Sequence, residues 1–151
     1  AHGQNKRYHH KYIGMGGRLD TIQAAILLAK LPHYTQELVD RQQVAQHYTD
    51  ALSDSVQVPV IKSNRSSAWA QYTVRVDNRD TLQAKLKDNG IPTAVHYPVS
   101  LHLQKCFQYL NYKQGDFPIS EQASEEVMSL PISALITDIE QKHIISNLAS
   151  Y

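Results

Sequence analysis

His96, Tyr97, His102 and Cys106 bring the residue types most able to do chemistry into one short stretch. Histidine changes charge near neutral pH, and His and Tyr both join a flat apolar face to a polar edge. Two readings of His96-Tyr97-Pro98 stand at this level. Either the pair faces a ligand, or His96 is a strand-end histidine satisfied by backbone and Pro98 merely stops the strand. His102 reads as structural. Cys106, beside Phe107, reads as packed rather than reactive, because a lone cysteine next to an aromatic behaves as a small hydrophobe. The sequence has eight histidines, but His9-His10 and His96…His102 are joined by neither cysteines nor suitably spaced carboxylates. Neither HExxH nor a paired CxxC occurs, so no metal site is expected. There is also no Walker loop and no GxGxxG.

A second feature is charge. No acid precedes Asp20, while Lys6, Arg7, Lys11 and Arg18 are basic and His2, His9 and His10 stand among them. Such an arm could hold a phosphate or diphosphate, and a solvated tail would account for the same charge. Gly14-Met15-Gly16-Gly17 ahead of a helix could offer backbone N–H groups to a phosphate, although a glycine cluster alone says little. Lys30 stands on an apolar helix, where burial would lower its pKa unless the amine snorkels outward.

These residues need elements to position them. Residues 1–17 show no sustained period and contain Gly3, Gly14, Gly16 and Gly17, so a loop or arm is expected. Asp20 suits the cap of a helix to about Leu31, apolar nearly all round from Ala24 to Ala29 and therefore expected to be buried on several sides. Pro32 opens a second helix with Tyr34, Leu38, Ala45, Tyr48 and Leu52 as its stripe. Alternation from Ala68 to Val76 predicts a half-buried strand. Leu82 and Leu86 mark a short helix closed by Asn89-Gly90. Ile91–Tyr97 reads as another strand, with Pro92 near its start. Val99–Phe117 is irregular. Ser120 is expected to cap a helix through Val127, with Leu130-Pro131 ending it or starting a short strand. Thr137-Asp138-Ile139-Glu140 is a capping box opening a last helix that carries Ile144, Ile145 and Leu148. Helices with a few short strands and no βαβ regularity point to an α+β fold.

Composition sets bounds. A chain of 151 residues is one domain by the usual prior and buries about two thirds of its unfolded surface. Hydrophobic residues at 42% and charged residues at 19% exclude disordered and membrane classes. The longest apolar run, Ala24–Ala29, is too short for a bilayer, and the opening residues show no charged-then-apolar leader. The single cysteine excludes an internal disulfide and fits a reducing compartment, so a cytoplasmic location is expected. A net charge of +1 gives no case for nucleic acid.

The stretch HGQNKRYHHKYIGMGGRLDTIQAAILLAK, followed by Arg41-Gln42-Gln43, WAQYTV at Trp69–Val74, Asn78-Arg79-Asp80, Gly90-Ile91-Pro92, His96-Tyr97-Pro98, Leu101-His102 and Leu130-Pro131-Ile132, resembles the C-terminal part of the DegT/StrS family. These are sugar aminotransferases that use pyridoxal phosphate (PLP). The resemblance implies the small domain of a fold-type I aminotransferase, with helices packed on a short, mainly antiparallel sheet. Residues 1–18 would be an arm from a large domain and residues 19–151 the small domain. It implies that Arg18 corresponds to the arginine of a Gly-x-Asn-x-Arg element reaching into the partner subunit's site. Gly16 stands where most of the family has an asparagine that touches the PLP phosphate, so here only a backbone N–H is left for that contact. His96 and Tyr97 match the element that meets the nucleotide-sugar, and Ser100 replaces the proline usual before Leu101-His102.

The resemblance further implies an amino transfer, usually from glutamate, onto a nucleotide-linked keto-sugar, most like the enzymes of UDP-linked 3-keto uronic acids used in surface polysaccharide synthesis. PLP would serve the complete enzyme. The lysine that holds it lies upstream in the family, and none of the nine lysines here sits in a matching segment. The chain alone is therefore expected to bind no PLP covalently, to contribute no catalytic residue and to be inactive. The other reading is a stand-alone, non-catalytic module that binds nucleotide-sugars or dimerises, as a homo-oligomer or with a large-domain chain. A basic-arm RNA binder lacks aromatic platforms and is set aside.

Overall fold

Antiparallel pairing of two short segments far apart in sequence frames the domain. In a computed structural model that describes residues 2–149, β3 (Tyr72–Arg75) pairs with β4 (Val127–Leu130) in the register Tyr72↔Leu130, Thr73↔Ser129, Val74↔Met128 and Arg75↔Val127. Tyr72 and Val74 alternate inward as a pleated strand requires. Across this ladder pack α2 (Tyr34–Leu52), α3 (Arg79–Asp88) and α5 (Asp138–Ala149). They contribute Ala45, Tyr48, Leu52, Leu82, Leu86, Ile144 and Leu148 to one core with Met128 and Leu130. The predicted stripe of the second helix is buried from Ala45 onward, while Tyr34 near its start is exposed. The α+β class and its short antiparallel sheet are as the sequence implies.

Polar groups enter this core only with partners. Tyr48 donates its hydroxyl to the Pro131 carbonyl at 2.9 Å, and the Tyr72 hydroxyl lies 2.9 Å from Thr49 Oγ1. Burial pushes both phenols above their ordinary pKa, so both stay neutral hydrogen-bonding groups.

Local signals explain most element ends. The α1 helix (Thr21–Lys30) opens on a capping box between Asp20 and Gln23. In α5, Glu140 N–H donates to Thr137 Oγ1 and Thr137 N–H to Glu140 Oε2, at 3.3 and 2.8 Å. Gly90, at φ 76°, ends α3 in the left-handed region that favours glycine.

Several expectations are corrected. The arm is no plain loop: β1 (Gln4–Lys6) and β2 (His9–His10) form an antiparallel hairpin. Gly3 anchors its base, accepting Lys11 and Tyr12 N–H at 3.0 and 3.2 Å. At φ 78°, with a Cβ there falling 1.9 Å from the Tyr12 carbonyl oxygen, only glycine fits. The Ala68–Val76 strand begins only at Tyr72, because Trp69 takes a left-handed φ of 47° and turns inward to donate its indole N–H to Gln42 at 2.7 Å. Ile91–Tyr97 is not a strand. Pro92 has no N–H to donate, and a single bridge, Ala94↔Ser129, is all that forms. Leu101–Leu103 and Lys105–Leu110 form 3-10 turns in the stretch read as irregular. The α4 helix (Pro118–Glu126) starts with Pro118 in its first turn and Phe117 as cap, not at Ser120, and β4 follows it directly at Val127.

The largest departure is α1. No residue of it is buried, and Ile22 and Leu28 are 75% and 70% exposed. Apolar patterning reports that a face needs cover without saying which chain supplies it. Ala1, Ser150 and Tyr151, at the ends of the expected 1–18 and 19–151 segments, lie outside the described residues. No helix of the described residues is long and apolar enough to cross a membrane.

The packing makes a contrast that urea denaturation can read. Leu86→Ala is expected to cost about 2–5 kcal/mol, because Leu86 is fully buried. Leu28→Ala at low protein concentration should stay within about 0.5 kcal/mol of the parent. Equal losses at both positions would show that α1 is packed into this core.

Candidate functional site

Two loops and the hairpin enclose the main cavity, of about 810 Å³. The hairpin forms one wall with Tyr8, His10 and Tyr12, and the segment after the Ala94 bridge forms another with His96 and Tyr97. The α4 face and the turns around Gln104 and Cys106 close the rest.

Gln104 explains why the hairpin sits there. Its side chain is 93% buried by relative exposure of 7%, and both ends of the amide go to hairpin backbone. His10 N–H donates to Gln104 Oε1 at 2.9 Å, and Gln104 Nε2 donates to the Tyr8 carbonyl at 2.9 Å. Thus held, the Tyr8 ring meets Tyr97 edge-on with centroids 5.7 Å apart and His96 at 6.4 Å, while His96 and Tyr97 lie 5.6 Å apart. Edge-to-face contacts of this kind keep rings apart yet fixed, which leaves faces for a ligand. His96 Nδ1 lies 3.1 Å from Ser129 Oγ on β4.

The α4 side of the cavity is hydroxyl-rich. Ser120 Oγ donates to the buried Ser100 Oγ at 3.2 Å, and Ser124 Oγ donates to the Glu121 carbonyl at 2.7 Å. Behind this wall His102 Nε2 meets Glu121 Oε1 at 3.0 Å, with both side chains largely buried. Glu121 also accepts Gly115 N–H at 2.9 Å and Phe117 N–H at 3.3 Å. Those N–H groups, Gly115 first, and the His102 ring hold its carboxyl below the usual carboxylate range. His102 is thus the structural residue that the sequence suggests, tying the Gly115–Phe117 turn to α4.

Of the residues singled out from sequence, His96 and Tyr97 come together on the cavity wall. Arg18 does not join them: its side chain is 80% exposed and pairs with Asp20 at 2.8 Å. Gly16 also stands outside the lining, with the His2 ring against it, so that a Cβ there would fall 2.4 Å from His2 Cε1. Sequence reasoning missed Tyr8, Gln104 and Ser129. Tyr8 lay within the basic arm, but its partners do not follow from local pattern, and nothing local marks Gln104 or Ser129.

Among the described residues, no lysine, arginine or carboxylate lines the cavity, and its lining histidines are His2, His10 and His96. Among the described residues no cluster of histidine, cysteine and carboxylates could hold a metal ion. The wall fits a neutral or hydrogen-bonding ligand with flat faces. It does not fit PLP, which needs a lysine for its carbonyl carbon and a carboxylate opposite its ring nitrogen.

Two outcomes test this geometry. Gln104→Ala is expected to undock the hairpin, so hydrogen exchange at the His10 amide should rise by an order of magnitude or more while β3 and β4 amides keep their protection; unchanged exchange at His10 would refute the clamp. The second concerns pH. A carboxyl with a depressed native pKa stabilises above the unfolded value, about 4.3, and loses that contribution as pH falls through the native value. The midpoint gap between the parent and Glu121→Gln should therefore be largest at pH 7 and shrink towards pH 3. A constant gap would remove Glu121 from the linkage.

Comparison with known proteins agrees with this fold. The profile of the DegT/DnrJ/EryC1/StrS aminotransferase family matches residues 1–149. The UDP-2-acetamido-2-deoxy-3-oxo-D-glucuronate aminotransferase of Pseudomonas aeruginosa is 43% identical over 150 residues, 99% of this chain and 41% of that protein. A dTDP-3-amino-3,6-dideoxy-alpha-D-galactopyranose transaminase of Aneurinibacillus thermoaerophilus is 33% identical, over 99% of this chain and 41% of its own length. Among solved structures, a DegT DnrJ EryC1 StrS aminotransferase from Brucella abortus superposes with a TM-score of 0.81 at 38% identity, covering 99% of this chain and 40% of that one. DesV of S. venezuelae gives 0.83 at 30% identity, covering 99% and 41%. The chain thus spans about two fifths of the length of these relatives, and it belongs to the DegT/DnrJ/EryC1/StrS aminotransferase family.

Proposed function

We propose that this chain is the C-terminal portion of a PLP-dependent aminotransferase that moves an amino group from glutamate onto a nucleotide-linked keto-sugar. Residues 1–18 serve as the arm, residues 19–151 form the small domain, and the cytoplasm is the compartment. The observation that carries this reading is the ring-walled cavity in which His96 and Tyr97 stand together. A 43% identical relative is named for a UDP-linked 3-oxo-glucuronate, and a sugar of that class is the substrate we assign.

In this reading the faces of Tyr97 and His96 receive the apolar faces of the sugar or base, and their polar edges meet its oxygens. Arg18, standing clear of its own cavity, offers its planar fork to a carboxylate or phosphate in the partner subunit's site. Gly16 offers a backbone N–H to the cofactor phosphate. PLP supplies the electron sink when bound, and its lysine belongs to another part of the complete enzyme. This chain's share of the work is to bind and orient substrate and to exclude water.

Titration with UDP-N-acetylglucosamine tests the assignment. His96→Ala is expected to weaken binding about tenfold, the sum of one ring contact and one hydrogen bond. Binding unchanged by both His96→Ala and Tyr97→Ala would move the sugar elsewhere. Glutamate-dependent amination of a keto-sugar by this chain alone would overturn the division of labour.

A second reading rests on α1, whose exposed Ile22, Ile26, Leu27 and Leu28 form an apolar face. A non-catalytic module would cover it by self-association, making the chain a homo-oligomer. A monomeric mass by light scattering across a wide concentration range would count against that.

A further inference from the structure

Ser129 occupies an unusual position between the core and the cavity. Its backbone N–H donates to the Ala94 carbonyl at 2.7 Å, and its carbonyl accepts Ala94 N–H at 3.2 Å. Its side chain has Thr73 as cross-strand partner, the two hydroxyl oxygens 2.9 Å apart. The same hydroxyl oxygen lies 3.1 Å from His96 Nδ1. With Ser129 only 5% exposed, water cannot readily replace either contact, and a buried hydroxyl left unmatched is costly.

We infer that Ser129 is a positioning residue for His96: a hydroxyl chain from Thr73 through Ser129 to His96 Nδ1 fixes the imidazole and leaves Nε2–H as the group presented to a ligand oxygen. This rests on the reading of His96 as a ligand contact. The proton count follows from the inventory of each group. A serine hydroxyl has one proton and two lone pairs, so it can accept from Thr73 and donate to a ring nitrogen at once. A ring that accepts at Nδ1 is neutral and carries its proton on Nε2. The oxygens of a sugar, a diphosphate or a uracil carbonyl are acceptors, and Nε2–H is the complementary donor. Because Ser129 is locked to Ala94 by its backbone and to Thr73 by its side chain, the ring is oriented by the sheet itself rather than by a loop. Thr73 plays its part without touching the cavity.

Nuclear magnetic resonance of the whole chain labelled with ¹⁵N-histidine tests this before any ligand is added. The expected spectrum for the neutral His96 ring has Nε2 protonated and Nδ1 bare, with an exchange-protected hydroxyl proton correlated to Nδ1. Ser129→Ala should abolish that correlation and broaden the ring signals, with the other histidines unmoved. A protonated Nδ1 in the parent, or ring signals identical in Ser129→Ala, would overturn the inference. Ser129→Cys keeps the shape with a weak donor and gives the same reading by a smaller shift if the alanine variant does not fold.

A double-mutant cycle with UDP-N-acetylglucosamine then separates positioning from general support. Ser129→Ala is expected to weaken binding about fivefold beside His96 and to have no further effect beside His96→Ala. Equal losses in both backgrounds would make Ser129 merely structural and overturn the inference. If the nucleotide-sugar binds without moving any His96 signal, the sugar-site reading fails, while the ligand-free spectra still decide the role of Ser129.

Discussion

The register of β4 is the constraint on which the fold and the site both depend. Pairing Thr73 with Ser129 places Tyr72 and Val74 in line with Leu130 and Met128, so one face of the ladder closes the core under α2, α3 and α5. Ser129 spends both backbone groups on Ala94, which makes Thr73↔Ser129 the kind of pair whose side chains lie close. A slip of one residue would replace Met128 and Leu130 on the core-facing side with Val127 and Ser129. It would also turn Ser129 away from Thr73 and leave the segment carrying His96 without its bridge. Stability and site geometry are therefore one requirement at this strand, met by residues in the middle of the chain and near its end.

The hairpin is attached by a different and weaker device. Its own pairing is short, and a single buried amide, that of Gln104, carries its docking on the rest of the chain together with the edge contacts of Tyr8. Net hydrogen bonds are worth about 1 kcal/mol each. The cavity thus has one wall built into the sheet and one wall held by a few bonds that can open at modest cost. Under the proposed function, that asymmetry would let the orienting residues stay in place while the covering residues open for a nucleotide-sugar.

How much of this was legible in the sequence depends on the range of the interaction. The cap at Asp20, the capping box at Thr137, the Leu82–Leu86 spacing and the glycine stop at Gly90 are local signals, and each element begins or ends where they say. The strand expected over Ile91–Tyr97 failed because a strand needs a partner along its length, and only Ala94 finds one. The helix start expected at Ser120 moved because Pro118 is a better first-turn residue than a serine is a cap. Motif resemblance pointed to His96 and Tyr97. It could not show Gln104, whose partners Tyr8 and His10 lie at the other end of the chain. Nor could it place the Ser129 hydroxyl between Thr73 and His96.

Charge completes the picture. A nucleotide diphosphate brings formal negative charge, yet the cavity wall carries only histidines as potential cations. Desolvating a diphosphate there without a fixed positive partner would be costly. Under the proposed function the wall would take the sugar or base, and the phosphates would need cations from beyond it. This chain keeps Lys6, Arg7, Lys11 and Arg18 on its N-terminal stretch, ahead of any acid, and Arg18 reaches into solvent, paired with the half-buried Asp20. A surface ion pair of that kind is weak, of the order of 1 kcal/mol or less, so it can be exchanged for a bidentate grip on a phosphate or carboxylate at little cost. The same exposed stretch continues into α1, whose apolar residues have no cover among the described residues. A surface that joins exposed, weakly paired cations to exposed apolar side chains has the composition of an interface, and under the proposed function docking there would set Arg18 against the site across it.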